Sequence, residues 1–117
     1  MEGGNLSIVS LNMDLRRHQR VSVNLSSYLS SMSLGDNVGT VLDLSPRGCK
    51  MQSDMRVVPS MQMVVHLDVP GQDSIIAIKQ AGVRWVSGRV FGLEFIDPDP
   101  TVVKRLVQVI RDAKPMH

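Results

Sequence analysis

The sequence predicts a small domain made mainly of β-strands, an antiparallel barrel or sandwich whose open end is covered by a C-terminal helix. Three observations carry this. Short runs of apolar and polar residues alternate with period two between residues 21 and 96. Turn-forming groups such as Pro46-Arg47-Gly48, Pro70-Gly71 and Ser87-Gly88 punctuate those runs at close spacing. The period then changes, after Pro100, to the spacing of an amphipathic helix.

In chain order, Val21, Val23 and Leu25 alternate with Ser22, Asn24 and Ser26 and predict the first strand. A serine-rich stretch, Ser26 to Ser33, and a loop at Gly35-Asp36-Asn37 follow. Thr40 to Leu44 predicts the second strand, ended by Ser45-Pro46-Arg47-Gly48, because proline presets a turn and glycine tolerates positive φ. Cys49 to Ser53 predicts a short third strand. Met61, Met63, Val65 and Leu67 share one face of a fourth, where the methionines serve as barrel filling. Ser74 to Val86 and Arg89 to Ile96 predict a hairpin. Trp85, flanked by Arg84 and Val86 on that strand, is expected in the core. Val103, Leu106, Val107 and Ile110 form the helical stripe, with Asp99 as cap and Pro100 in the first turn, where a missing N–H costs nothing.

The chain has 117 residues and a mass of 12.9 kDa, the size of one domain. Its 43% hydrophobic and 21% charged residues describe a globular protein. The longest aliphatic run, Ile75 to Ile78, falls far short of the ~20 residues of a membrane helix. No apolar block of signal-peptide length precedes the arginines, so a cytoplasmic location is expected. The formal charge of +2 is too small for a nucleic-acid coat or a polybasic membrane anchor. Residues 1–14 show no usable period and are read as a flexible N-terminal segment, with the domain at 15–113, its barrel at about 20–97 and its helix at about 100–113.

Catalytic and metal chemistry find no footing. His18, His66 and His117 are scattered, and one cysteine cannot supply a thiolate pair, so no metal site or cofactor is expected. Cys49 reads as a small core residue. Asp97 and Asp99 sit among prolines that suit a strand-to-helix turn better than an acid pair. No acid, base and nucleophile set emerges, so the protein is not expected to be an enzyme.

Two segments remain. Arg16, Arg17 and Arg20 form the densest positive cluster, at the entrance to the first strand. Asp43 and Ser45 lie two residues apart and share a face of the second strand, just before Gly48. An arginine fork can bond guanine O6 and N7, pair with phosphate and stack on a purine. A carboxylate can accept the guanine N1 and exocyclic amino hydrogens. The segments are therefore complementary to a phosphorylated guanine, and Gly48 would admit a ligand close to the backbone. Taken singly, each is also what a solvated lead-in or an ordinary turn looks like.

Together, in this order, they resemble the bacterial PilZ domain, whose signature is RxxxR in an N-terminal loop followed by [DN]xSxxG on a barrel strand. Arg16 and Arg20 match the first motif, and Asp43, Ser45 and Gly48 the second. Gly82 to Val86 and Val90 to Phe95 resemble the family's late strands, and the likeness runs from Arg16 to about Arg111. It implies a six-stranded antiparallel split barrel with a C-terminal helix that binds cyclic di-GMP on its outside, without catalysis. The implied ligand contacts are Arg16, Arg17, Arg20, Asp43, Ser45 and Gly48. Binding would reorder the N-terminal arginine loop and signal to a separate effector protein, with motility, biofilm formation, polysaccharide production or virulence as outputs. Leu15 stands where an extra arginine favours an intercalated ligand pair, which implies one ligand per domain. The expected assembly is a monomer or weak dimer. Two alternatives remain: a PilZ-fold interaction subunit of a motility system that binds no nucleotide, and a barrel for RNA or single-stranded DNA, which the chain's few aromatic residues disfavour.

Overall fold

The computed structural model describes residues 20–71 and 74–113. Six antiparallel strands close into a barrel in the order β1-β2-β3-β6-β5-β4. The strands are β1 (Val21–Ser31), β2 (Gly35–Ser45), β3 (Gly48–Ser53), β4 (Gln62–Asp68), β5 (Ile76–Ser87) and β6 (Val90–Phe95), and one helix, α1 (Pro100–Ala113), follows. The barrel option holds over the sandwich because β1 pairs with β4 as well as with β2, leaving no break in the ring.

The inside is packed with the residues that alternation turns inward. Leu29, Val41, Leu44, Met51, Val65, Leu67, Ile76, Ile78 and Phe91 are almost completely excluded from water. Each such side chain contributes roughly 1.5–3 kcal/mol relative to exposure, and together they hold the barrel closed around its apolar interior. Met63 belongs to this core and Met61 packs against it, as expected from their spacing. Met55 and Val57, in the connection from β3 to β4, add to it.

The first hairpin differs from the sequence reading. The serine-rich stretch is not a separate tract but the second half of β1, and Gly35 to Asn37 is strand rather than loop. The turn lies at residues 32–34, where Gly35 supplies the positive φ of +74° that closes it. Serines fit here because their inward hydroxyls find partners. Ser27 Oγ donates to the Gly39 carbonyl at 3.0 Å, and Ser31 Oγ accepts the Leu34 N–H at 2.9 Å. A satisfied hydroxyl removes most of the penalty for burying it.

The helix also sits slightly rotated from its expected face. Leu106, Val109 and Ile110 are buried and Val102 packs against the core, whereas Val103 and Val107 are half-buried. The Val103 N–H bonds to the Asp99 carbonyl at 3.0 Å, which puts Asp99 at the N-cap, but its carboxylate faces Lys79 at 3.7 Å. Helix α1 packs against β5 and the neighbouring parts of β1 and β2, and the Arg105 guanidinium donates to the Ser74 and Ile75 carbonyls. None of the described helices is long and apolar enough to cross a membrane.

Candidate functional site

The second motif lies where β2 turns into β3. Ser45 is buried, and its hydroxyl is used within the turn, donating to the Gly48 carbonyl at 3.3 Å and accepting the Arg47 N–H at 3.2 Å. The turn is stitched to β6 by the Phe95 N–H, which donates to the Arg47 carbonyl at 2.8 Å. Gly48 is glycine for a reason inside the fold. A Cβ at that position would overlap the backbone carbonyl oxygen of Leu93 on β6. Ser45 and Gly48 thus build the turn that presents their neighbours.

Asp43 is presented outward by an irregularity in the ladder. Between the pairs Val41↔Met51 and Asp43↔Lys50, β2 advances two residues while β3 advances one, so Leu42 is an inserted bulge residue. The inserted residue keeps Val41 in the core and turns Asp43 to the outer wall, opposite Lys50. Arg20 reaches this carboxylate just before β1 begins. Its Nη1 donates to Asp43 Oδ1 at 2.9 Å, while Lys50 Nζ stands 3.7 Å from Oδ2. Pairs this exposed contribute only about 0–1 kcal/mol to stability, so both cations can be exchanged for a ligand at little cost to the fold.

Further round the wall, Lys50 pairs with Gly92 on β6, and Gly92 with Trp85 on β5. Trp85 is 44% exposed rather than buried in the core, which corrects the sequence expectation. The reason is a second bulge. Arg84 is inserted between the pairs Val83↔Leu93 and Trp85↔Gly92, and it flips the following residue to the outside. The indole folds down over Gly92, filling the space a Cβ would take there. Arg84 pairs beside it with Glu94. Asp43, Lys50, Gly92 and Trp85 therefore form one transverse row, about three strand spacings or roughly 14 Å long. It offers an acid at one end, a cation in the middle and an aromatic face at the other.

Of the expected contacts, the structure brings Arg20 and Asp43 together and sets Ser45 and Gly48 in the adjoining turn; Arg16 and Arg17 lie outside the described residues, as do residues 1–14 and Leu15. Sequence reasoning missed Lys50, although it alternates with the buried Cys49 and Met51 and so had to face outward beside Asp43.

Cys49 lies beneath this row in the core, as expected, and burial, with the nearby Asp43 carboxylate adding, pushes its thiol up to about 12. Two consequences are measurable. The thiol should resist an aromatic disulfide reagent until the protein unfolds, because the thiolate is the reactive form. The folded thiol titrates above its ordinary 9.0, so the unfolded chain loses this proton first; the thiol's contribution to stability is constant below pH 9 and declines as pH rises from 9 toward 12. Urea titrations of wild type against Cys49→Ala across that range should show a steeper decline where the thiol is present.

A family profile described as "PilZ domain" matches residues 14–112. The chain belongs to the PilZ family. Two solved structures share its fold. The first, described as the PilZ domain with c-di-GMP of YcgR from Escherichia coli, is 15% identical, with a TM-score of 0.69 over 81% of this chain and 88% of that one. The second, the PilZ domain of CeSA from a cellulose-synthesizing bacterium, is 12% identical, with a TM-score of 0.58 over 81% of this chain and 94% of that one. No curated protein matches the chain. PilZ domains are non-catalytic receptor or adaptor modules, and residues 14–112 form such a domain.

Proposed function

We propose that this PilZ domain is a receptor for cyclic di-GMP and that it binds the nucleotide on the outer wall beside the β2–β3 turn. The observation that carries this is the Arg20–Asp43 pair, one residue from each signature motif, meeting on the exposed face. Arg20 can fork onto a phosphate or a guanine edge. Asp43 accepts the guanine N1–H and amino hydrogens that no arginine can satisfy. Trp85 offers its face for a base to stack on, and Ser45 and Gly48 hold the turn in place. The likeness to a PilZ domain described with c-di-GMP supports the choice of ligand.

Arg16 and Arg17 precede Arg20 in the chain and would close over the bound nucleotide, so ordering of this leader is the signal passed to an effector protein in trans. The leader loses conformational entropy, and charge-assisted bonds to the ligand offset it.

Titration calorimetry with cyclic di-GMP, with GTP and cyclic di-AMP as controls, tests the reading. One ligand per chain is expected to bind, quenching the fluorescence of the single tryptophan and raising hydrogen-exchange protection at residues 14–22. Absence of heat and of quenching at saturating nucleotide would leave the non-binding interaction subunit as the better account.

A further inference from the structure

We propose that Lys50 is a phosphate-binding residue of this site, paired with Asp43 in the free protein and transferred to a phosphodiester oxygen when the nucleotide enters. The inference rests on the receptor reading above and concerns a residue outside both signature motifs.

Position is the first argument. Lys50 occupies the strand between Asp43 and Gly92, so a ligand that touches the acid at one end of the row and the indole at the other must pass over it. The second is its present engagement. Arg20 holds one oxygen of Asp43 at 2.9 Å, whereas Lys50 approaches the other only to 3.7 Å with its side chain 42% exposed. A carboxylate oxygen has two lone-pair sites, so Asp43 can take a guanine edge while Arg20 stays bound, and Lys50 is the partner released. The third is charge. Asp43 alone repels a dianionic ligand, and Arg20 neutralises that repulsion without excess. Within the row itself Lys50 supplies the positive charge beyond Arg20, since Arg84 at its far end is paired with Glu94 and Arg47 belongs to the adjoining turn. An ammonium suits the task because it is a point charge with three rotatable donors on a flexible stem, able to follow a phosphate without a fixed docking angle.

Calorimetry on the full chain at two salt concentrations separates this role from a structural one. Lys50→Met should bind cyclic di-GMP about tenfold more weakly than wild type, in keeping with the loss of one charge-assisted hydrogen bond. Its affinity should fall less steeply with added salt, since one ionic contact is missing, and Lys50→Arg should recover most of the loss. Both variants should melt close to wild type, because the Asp43 contact is an exposed pair. Lys50→Gln provides the same comparison should the methionine variant misfold. Unchanged or tighter binding by the neutral variants, or an unchanged salt response, overturns the proposal and makes Lys50 merely a counter-ion of Asp43. Failure of the wild type to bind would instead remove the receptor reading on which it rests, and that result is seen before any variant is made.

Discussion

Arg20→Lys is expected to bind cyclic di-GMP about ten- to a hundredfold more weakly than wild type, the loss that accompanies removal of one bidentate contact of about 1–3 kcal/mol. The substitution preserves the charge and much of the length of the side chain. It removes the planar fork, the second parallel donor and the flat face that can lie against a purine. The geometry makes this a clean comparison. Arg20 lies just outside β1, is half exposed, and has Asp43 as its partner, so lysine there can still neutralise the acid while the barrel is unaffected. The melting temperature should therefore hardly move. Near-equal affinities in calorimetry would show that only charge matters at this position and would remove the bidentate and stacking role given to Arg20.

Gly48→Ala is expected to destabilise the fold by about 3 kcal/mol or more, at the upper end of what overpacking costs. For a domain of this size that corresponds to a fall in melting temperature on the order of 10 °C. The added methyl would meet a backbone oxygen, Leu93 O, and not a side chain that could swing away. Relief would require β3 and β6 to separate where Gly48 pairs with Glu94 and Cys49 with Leu93. A signature glycine can be explained by close approach of a ligand, as the sequence suggests, or by close approach of the neighbouring strand. The two explanations diverge here. Denaturant unfolding of the variant should show the loss without any nucleotide present; a variant as stable as wild type that binds poorly would favour the ligand explanation instead.

Much of the fold was legible because its logic is local. Alternation placed Val21, Leu25, Met63, Val65 and Leu67 inward, and Ser87-Gly88 marked the last hairpin, with Gly88 at a φ of +63°. The misreadings share a cause. Whether Ser27 and Ser31 can face the core depends on acceptors and donors at Gly39 and Leu34, which no run of serines announces. Whether Val109 or Val107 is buried depends on how the helix rolls against β5. Trp85 was assigned to the wrong side because period-two counting assumes an uninterrupted ladder, and Arg84 interrupts it. At the site, Asp43 and Arg20 carried a recognisable chemical signature, whereas Lys50 is defined only by which strand lies beside which.

Two of the inserted residues, Leu42 and Arg84, flank the proposed binding wall like reading-frame shifts. Each leaves the strand before it in phase with the core and puts the residue after it out of phase, so the acid and the indole owe their outward aim to a count of residues and not to their own chemistry. Threaded through a regular ladder with no bulge, the same letters would face inward, because each extra residue would then take a full step of the alternation. What the outer wall presents is therefore set by where the ladder absorbs its extra residues, and a one-residue slip would hide the acid or the indole with every amino acid still in place.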